Sequence, residues 1–71
     1  MKIIINGKPL DPFAGGRPLD YDDICLMAGY NPEKNPTVTW RNGQSGGTIR
    51  PGGGIAPANG MIFNVANTGN A

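Results

Sequence analysis

The large apolar residues of this chain fall into short groups separated by Gly, Pro and Asn, and the spacing within each group predicts an element. Met1-Lys2-Ile3-Ile4-Ile5 is rich in β-branched residues and predicts a strand, with Met1, Ile3 and Ile5 on one face and Lys2 and Ile4 on the other. Asn6-Gly7 follows directly. Both residues tolerate positive φ, which a tight type I′ hairpin requires, so a second strand is expected from Lys8 to about Ala14. Pro9 and Pro12 cannot donate ladder hydrogen bonds, which places that strand at a sheet edge. Gly15-Gly16 then releases the chain.

From Leu19 to Gly29 the period becomes helical. Asp20 suits the N-cap, where a carboxylate accepts a bond from an orphan backbone N–H. Asp22 and Asp23 set negative charge against the positive end of the helix dipole. Leu19 before the cap and Ile24 five residues later occupy the two positions of a hydrophobic staple. Gly29 fits the left-handed position that ends a helix. Ile24, Met27 and Ala28 are spaced i, i+3, i+4 and predict the buried face of one short helix.

Asn31 to Pro36 reads as a polar loop. Thr37-Val38-Thr39-Trp40-Arg41 alternates as a third strand closed by Asn42-Gly43, and Gln44 to Gly47 reads as a flexible loop. Thr48-Ile49-Arg50 is a brief strand stopped by Pro51, and Pro51 to Pro57, with its three glycines, predicts a surface turn. Asn59-Gly60 marks the turn into the last strand, Met61 to Val65. A hairpin followed by a covering helix lets later strands pair in the middle of the sheet. These elements predict an α+β fold: a β-grasp with a mixed sheet of four to five strands packed on one helix. The first and last strands lie parallel at its centre, with the Pro-bearing second strand and the brief fourth strand at the edges. Residues 1–65 form the domain, and 66–71 form a flexible C-terminal tail.

Composition constrains the function. Seventy-one residues make one domain, and such a chain buries only ~60% of the surface its unfolded form exposes. One Cys excludes an internal disulfide, and the absence of His removes the commonest nitrogen ligand of structural zinc. The 12 Gly and 7 Pro are read as turns, because the apolar groups between them keep their periods. Net charge is +1, and Lys2, Lys8, Arg17, Lys34, Arg41 and Arg50 are scattered rather than clustered, which argues against nucleic acid as a partner. The longest apolar runs fall far short of the ~20 residues that span a bilayer, and the N-terminus lacks a signal-peptide layout. A cytoplasmic protein with a reduced cysteine is expected.

Most catalytic schemes fail on residue inventory. Without His, the Ser-His-Asp and Cys-His arrangements are out of reach. Cys25 within the helix reads as a small buried hydrophobe. Asp20, Asp22 and Asp23 are assigned to capping and the dipole rather than to a metal. Gly52-Gly53-Gly54 neither opens a helix nor precedes Gly-Lys-Ser/Thr, so it is not read as a phosphate loop. Trp40 reads as a half-buried strand residue. The chain is therefore read as a non-enzyme. What remains is the run Ala66 to Ala71, all small or polar, which reads either as a frayed terminus or as a peptide suited to a narrow active-site channel.

The strand-turn-strand opening, the helix entry Leu19-Asp20-Tyr21-Asp22-Asp23-Ile24 with Ala28-Gly29, and Val38-Thr39-Trp40-Arg41 resemble bacterial ubiquitin-like domains of the multi-ubiquitin family. So do Gly47-Thr48-Ile49-Arg50-Pro51-Gly52 and Asn59-Gly60-Met61-Ile62-Phe63-Asn64-Val65, and the resemblance covers nearly the whole chain. It implies a ubiquitin-like β-grasp acting as a protein modifier. Its partners would be ubiquitin-activating-like and ubiquitin-conjugating-like enzymes, a processing or deconjugating peptidase, and a target protein. ATP would be used by the activating enzyme, with no cofactor on this chain. Asn67, Thr68, Gly69 and Asn70 would form the activated tail, and Gly69, Asn70 and Ala71 the processing site. Ubiquitin ends in two glycines, whereas this chain reads Thr68-Gly69-Asn70-Ala71: the shortest trim leaves Asn70 as the reactive terminus, cleavage after Gly69 leaves a more familiar one, and without trimming Ala71 carries the carboxylate. The alternatives are a β-grasp sulfur carrier, which normally presents Gly-Gly, and a non-conjugated interaction module using Ile4 or Tyr30.

Overall fold

The computed structural model describes residues 1–12 and 18–67. Its strands are β1 (Ile3–Ile5), β2 (Lys8–Leu10), β3 (Leu19–Asp20), β4 (Thr37–Asn42), β5 (Ser45–Ile49), β6 (Gly54–Ile55) and β7 (Ile62–Ala66). Helix α1 (Tyr21–Met27) follows β3, and a single 3-10 turn occupies Pro32–Lys34. The architecture is α+β. Five strands form a mixed sheet in the order β2-β1-β7-β4-β5, and β3 pairs with β6 in a small second sheet. β1 and β7 are parallel and every other pairing is antiparallel. The first and last strands therefore meet at the centre, with β2 and β5 at the edges, as the order of elements predicts.

Alternation builds the core. Along β7, Phe63 and Val65 are buried while Ile62, Asn64 and Ala66 are exposed. Ile3 and Ile5 of β1, Val38 of β4 and Ile49 of β5 point to the same side. Against them pack Leu19, Tyr21, Ile24 and Cys25 from the helix and its entry. The buried helical stripe is thus Tyr21, Ile24 and Cys25, with Met27 and Ala28 at its margin. Met1, expected beside Ile3 and Ile5, lies outside β1 and is exposed; its amino group faces Asp11 at 3.9 Å.

The helix begins where its residue chemistry requires. The Asp23 N–H donates to Asp20 Oδ1 at 2.8 Å, and the Asp20 N–H reaches Asp23 Oδ2 at 3.4 Å, forming a capping box. Leu19 and Ile24 are both buried, as a staple requires, and Gly29 follows the cap in the left-handed region. The Tyr21 N–H donates to Gly53 O at 2.9 Å, tying the helix entry to the glycine segment.

Four elements differ from expectation. Gln44 to Gly47 is not a loop: Gly43, at φ 63°, opens a two-residue turn, so Asn42 pairs directly with Ser45 and β5 runs through both glycines. The stretch from Pro51 to Pro57 is more than a surface turn, because Gly54-Ile55 pairs with Leu19-Asp20 as β6. A Cβ on Gly54 would lie 2.8 Å from Leu19 O, so the close approach of these backbones requires glycine. β7 extends through Ala66, which pairs with Thr37, one residue past the boundary read at Val65. β2 ends at Leu10, short of the strand read to about Ala14: Asp11 and Pro12 lie outside it, and Phe13 and Ala14 lie outside the described residues. Among the described residues, no helix is long and apolar enough to cross a membrane.

Candidate functional site

The C-terminal strand is held from both ends. At its entry the Gly60 N–H donates to Lys2 O at 2.7 Å, and the Met61 N–H closes the Asn59-Gly60 turn onto Ala58 O at 3.0 Å. Asn59 Oδ1 accepts from the Lys2 N–H at 2.9 Å. The Ile4 N–H then donates to Met61 O and the Asn6 N–H to Phe63 O, at 2.9 and 3.0 Å. β1 ends there, yet the pairing continues. Asn6 turns into the left-handed region at φ 51°, and its side chain replaces the missing strand. Asn6 Oδ1 accepts from the Val65 N–H at 2.8 Å, while Asn6 Nδ2 donates to Val65 O at 3.1 Å. On the opposite edge Val38 and Thr37 of β4 pair with Val65 and Ala66. The chain thus leaves the sheet from a fixed point, and Asn67, the last described residue, is exposed. Thr68, Gly69, Asn70 and Ala71, the other residues expected in the activated tail and processing site, lie outside the described residues.

The remaining candidates take structural places. Cys25 is fully buried, and burial pushes its thiol above the ordinary 9.0; the Tyr21 hydroxyl partly offsets this, and the Asp22 carboxylate adds to it. Tyr21 donates its hydroxyl to Pro36 O, joining the first turn of α1 to the start of β4. Burial also raises Tyr21 above 10.0, reinforced by the neighbouring Cys25 and Asp22. Asp20 and Asp23 are engaged in the capping box, and no group of three or more acidic or cysteine side chains comes together among the described residues. Gly52-Gly53-Gly54 serves the turn after Arg50, closed by the Gly53 N–H on Arg50 O at 2.8 Å, and the backbone contact with β3. Trp40 is half-buried, and Ile4 and Tyr30 are intermediate rather than exposed.

Grooves adjoin both ends of the helix. One, about 180 Å³, lies at the end of β4 and β5 and is lined by Tyr21, Val38, Ile49 and Arg50 among others. The other, about 300 Å³, lies between the β1–β2 hairpin and the end of the helix and includes Leu10, Met27 and Tyr30. The Asn6 clamp is the feature sequence reading missed. Asn6 is recognisable in the sequence as a turn residue, but nothing local says its amide will meet a strand 59 positions away. Comparison of the chain with protein-family models, curated proteins and solved structures found no match.

Proposed function

We propose that this chain is a ubiquitin-like β-grasp protein modifier whose C-terminal carboxylate is activated and transferred by partner enzymes. The observation that supports this reading is the position of β7. It runs parallel to β1 at the centre of the sheet, is clamped at Val65 by Asn6, and delivers an exposed Asn67 just beyond Ala66. A modifier must present a terminal peptide to another protein's active site while its own domain stays folded. A central, doubly paired strand meets that need, because a pull applied beyond it is borne by the middle of the sheet rather than by a weak edge.

In the proposed reaction an activating enzyme joins the terminal carboxylate to the AMP portion of ATP and releases pyrophosphate. An enzyme thiolate then attacks the acyl carbon and AMP leaves. The resulting thioester passes to a conjugating enzyme and then to an acceptor amine. This chain supplies the acyl group and the recognition surfaces, and its partners supply the catalysis and the processing of Gly69-Asn70-Ala71.

The test incubates the full chain with ATP and an activating-type enzyme encoded beside it, followed by intact-mass measurement. An enzyme thioester carrying the chain, lost when residues 68–71 are deleted, supports the modifier. That deletion leaves β7 intact through Ala66. Replacement of one terminal oxygen by sulfur would instead assign the chain as a sulfur carrier and overturn the proposal. So would unaltered mass with an enzyme shown to adenylate another substrate.

A further inference from the structure

The two edges of the main sheet are not equivalent. At β2 the Asn6-Gly7 turn closes on the Ile5–Lys8 pair, so Pro9, opposite Ile4, turns its backbone outward. Proline has no N–H, and this edge therefore offers an incoming strand a carbonyl and no donor at its centre. At β5 the two-residue turn closes on Asn42–Ser45, so Trp40–Gly47 and Val38–Ile49 are also hydrogen-bonded pairs. Gly46 and Thr48 then direct both N–H and C=O away from β4. Both residues are exposed, and β5 carries neither proline nor charge along its five residues. Native edges normally carry such blocking devices.

The glycines add a second property. Gly46 and Gly47 leave the side chains of the next strand uncovered on both faces. The Trp40 indole lies over Gly47, where a Cβ would come within 3.1 Å of Nε1. Arg41, opposite Gly46, projects from the other face. Arg50 stands just past β5, at the mouth of the groove lined by Tyr21, Val38 and Ile49. Neither arginine has a carboxylate partner among the described residues.

We propose that the free edge of β5 accepts, by strand addition, an extended peptide of another protein with the pattern acidic–apolar–any–apolar–acidic. Residues directly opposite in adjacent strands share a face. The first acid would sit across Gly46 beside Arg41, and the first apolar side chain across Gly47 against Trp40. The second apolar side chain would sit across Ile49 toward the groove, and the last acid beside Arg50. Gly46 and Thr48 would supply the backbone hydrogen bonds, as in other strand-addition complexes. A second copy of this chain is the poorer occupant. Its own β5 would place glycines beside Trp40 and bring no acid to either arginine. The proposal is independent of any chemistry at the C-terminus.

The probe is a blocked peptide, Ser-Asp-Phe-Thr-Val-Asp-Ser, titrated into the isotope-labelled full chain and followed by amide and indole NMR shifts. Saturable shifts at the Gly46 and Thr48 amides and the Trp40 indole N–H are expected. Replacing both acids of the peptide by lysine should weaken binding roughly tenfold, since two exposed ion pairs become two repulsions. Thr48→Pro removes one outward donor without touching a bond to β4, and should abolish binding. Should that variant not fold, Arg41→Glu decides, because it should bring the acidic and lysine peptides to similar affinity. Shifts centred on β2 or the helix, equal affinity for the two peptides with the unaltered chain, or no binding would each overturn the proposal. Concentration-dependent changes at the β5 amides without peptide would overturn it too, by making a second copy the occupant.

Discussion

Asn6 holds Val65 by both its backbone groups: Oδ1 accepts from the Val65 N–H at 2.8 Å and Nδ2 donates to Val65 O at 3.1 Å. Asn6→Ala removes both bonds and forces alanine to adopt φ 51°. The expected loss is about 3–4 kcal/mol, combining two bonds of roughly 1 kcal/mol each with a left-handed penalty of roughly 1–2 kcal/mol. Asn6→Gly keeps the turn and loses only the bonds, so it should cost about half as much. Urea unfolding gives the two differences. Hydrogen exchange at the Val65 amide should accelerate in both variants, and an unchanged rate would show that the clamp is not formed.

Neighbouring glycines of β5 should respond differently to a methyl group. A Cβ on Gly46 meets the Trp40 carbonyl oxygen at 2.9 Å, a backbone atom that moves only with the strand. A Cβ on Gly47 meets Trp40 Nε1 at 3.1 Å, part of a side chain that can tilt. Gly46→Ala is therefore expected to destabilise by roughly 1–3 kcal/mol, and Gly47→Ala by less. Tryptophan fluorescence should shift in Gly47→Ala, where the indole gives way. Equal costs with unchanged emission would contradict the placement of the indole.

Much of this fold is legible in the sequence wherever one short segment contains both halves of an interaction. Asp20 and Asp23 are three residues apart, so the helix start can be read directly; Asn6-Gly7 likewise specifies its own turn. The sheet order follows from the helix between hairpin and later strands, together with prolines that belong at an edge. What could not be read depends on partners distant in sequence or on glycine in an uncommon role. Leu19-Asp20 and Gly54-Ile55 are too short to show a period, and their pairing becomes visible only in three dimensions. Ser45-Gly46-Gly47 has a loop composition but is drawn into a strand by the register that Gly43 imposes. Of the expected tail, Ala66 is drawn into β7 and Asn67 lies exposed just past it, because the pairing with Thr37 extends the strand one residue beyond Val65.

Alkaline pH should destabilise the fold through two buried groups, Cys25 and Tyr21. Burial raises Cys25 above 9.0 and Tyr21 above 10.0. The unfolded chain therefore releases these protons at a pH where the folded chain still holds them. Stability is full below the unfolded values and falls as pH rises above 9.0, because deprotonation favours the unfolded state. Cys25→Ala with Tyr21→Phe should flatten the decline, although Tyr21→Phe also strands the Pro36 carbonyl at a cost of about 1–3 kcal/mol. Unfolding midpoints measured across this range test the slope. A double variant that declines as steeply as the original chain would exclude these two groups as its cause.

Ile62 and Phe63 are adjacent in β7 but face opposite sides of the sheet, being 37% and 0% exposed. Alternation alone creates this difference, so truncating each to alanine measures the face assignment of the central strand. Phe63→Ala removes a ring from among Ile5, Trp40 and the helix face, and should cost about 3–5 kcal/mol. A domain of this length has roughly 4–11 kcal/mol of total stability, so that variant loses from about a quarter to all of it. Ile62→Ala should lose under about 1.5 kcal/mol, because much of its side chain already meets water. Circular dichroism at increasing urea distinguishes the two. A one-residue slip of β7 would exchange the roles, making Ile62→Ala the damaging change, and it would also move Val65 off its bonds to Asn6. Both mutational pairs, at Ile62/Phe63 and at Asn6, therefore report on one register, the register that sets where the chain leaves the sheet.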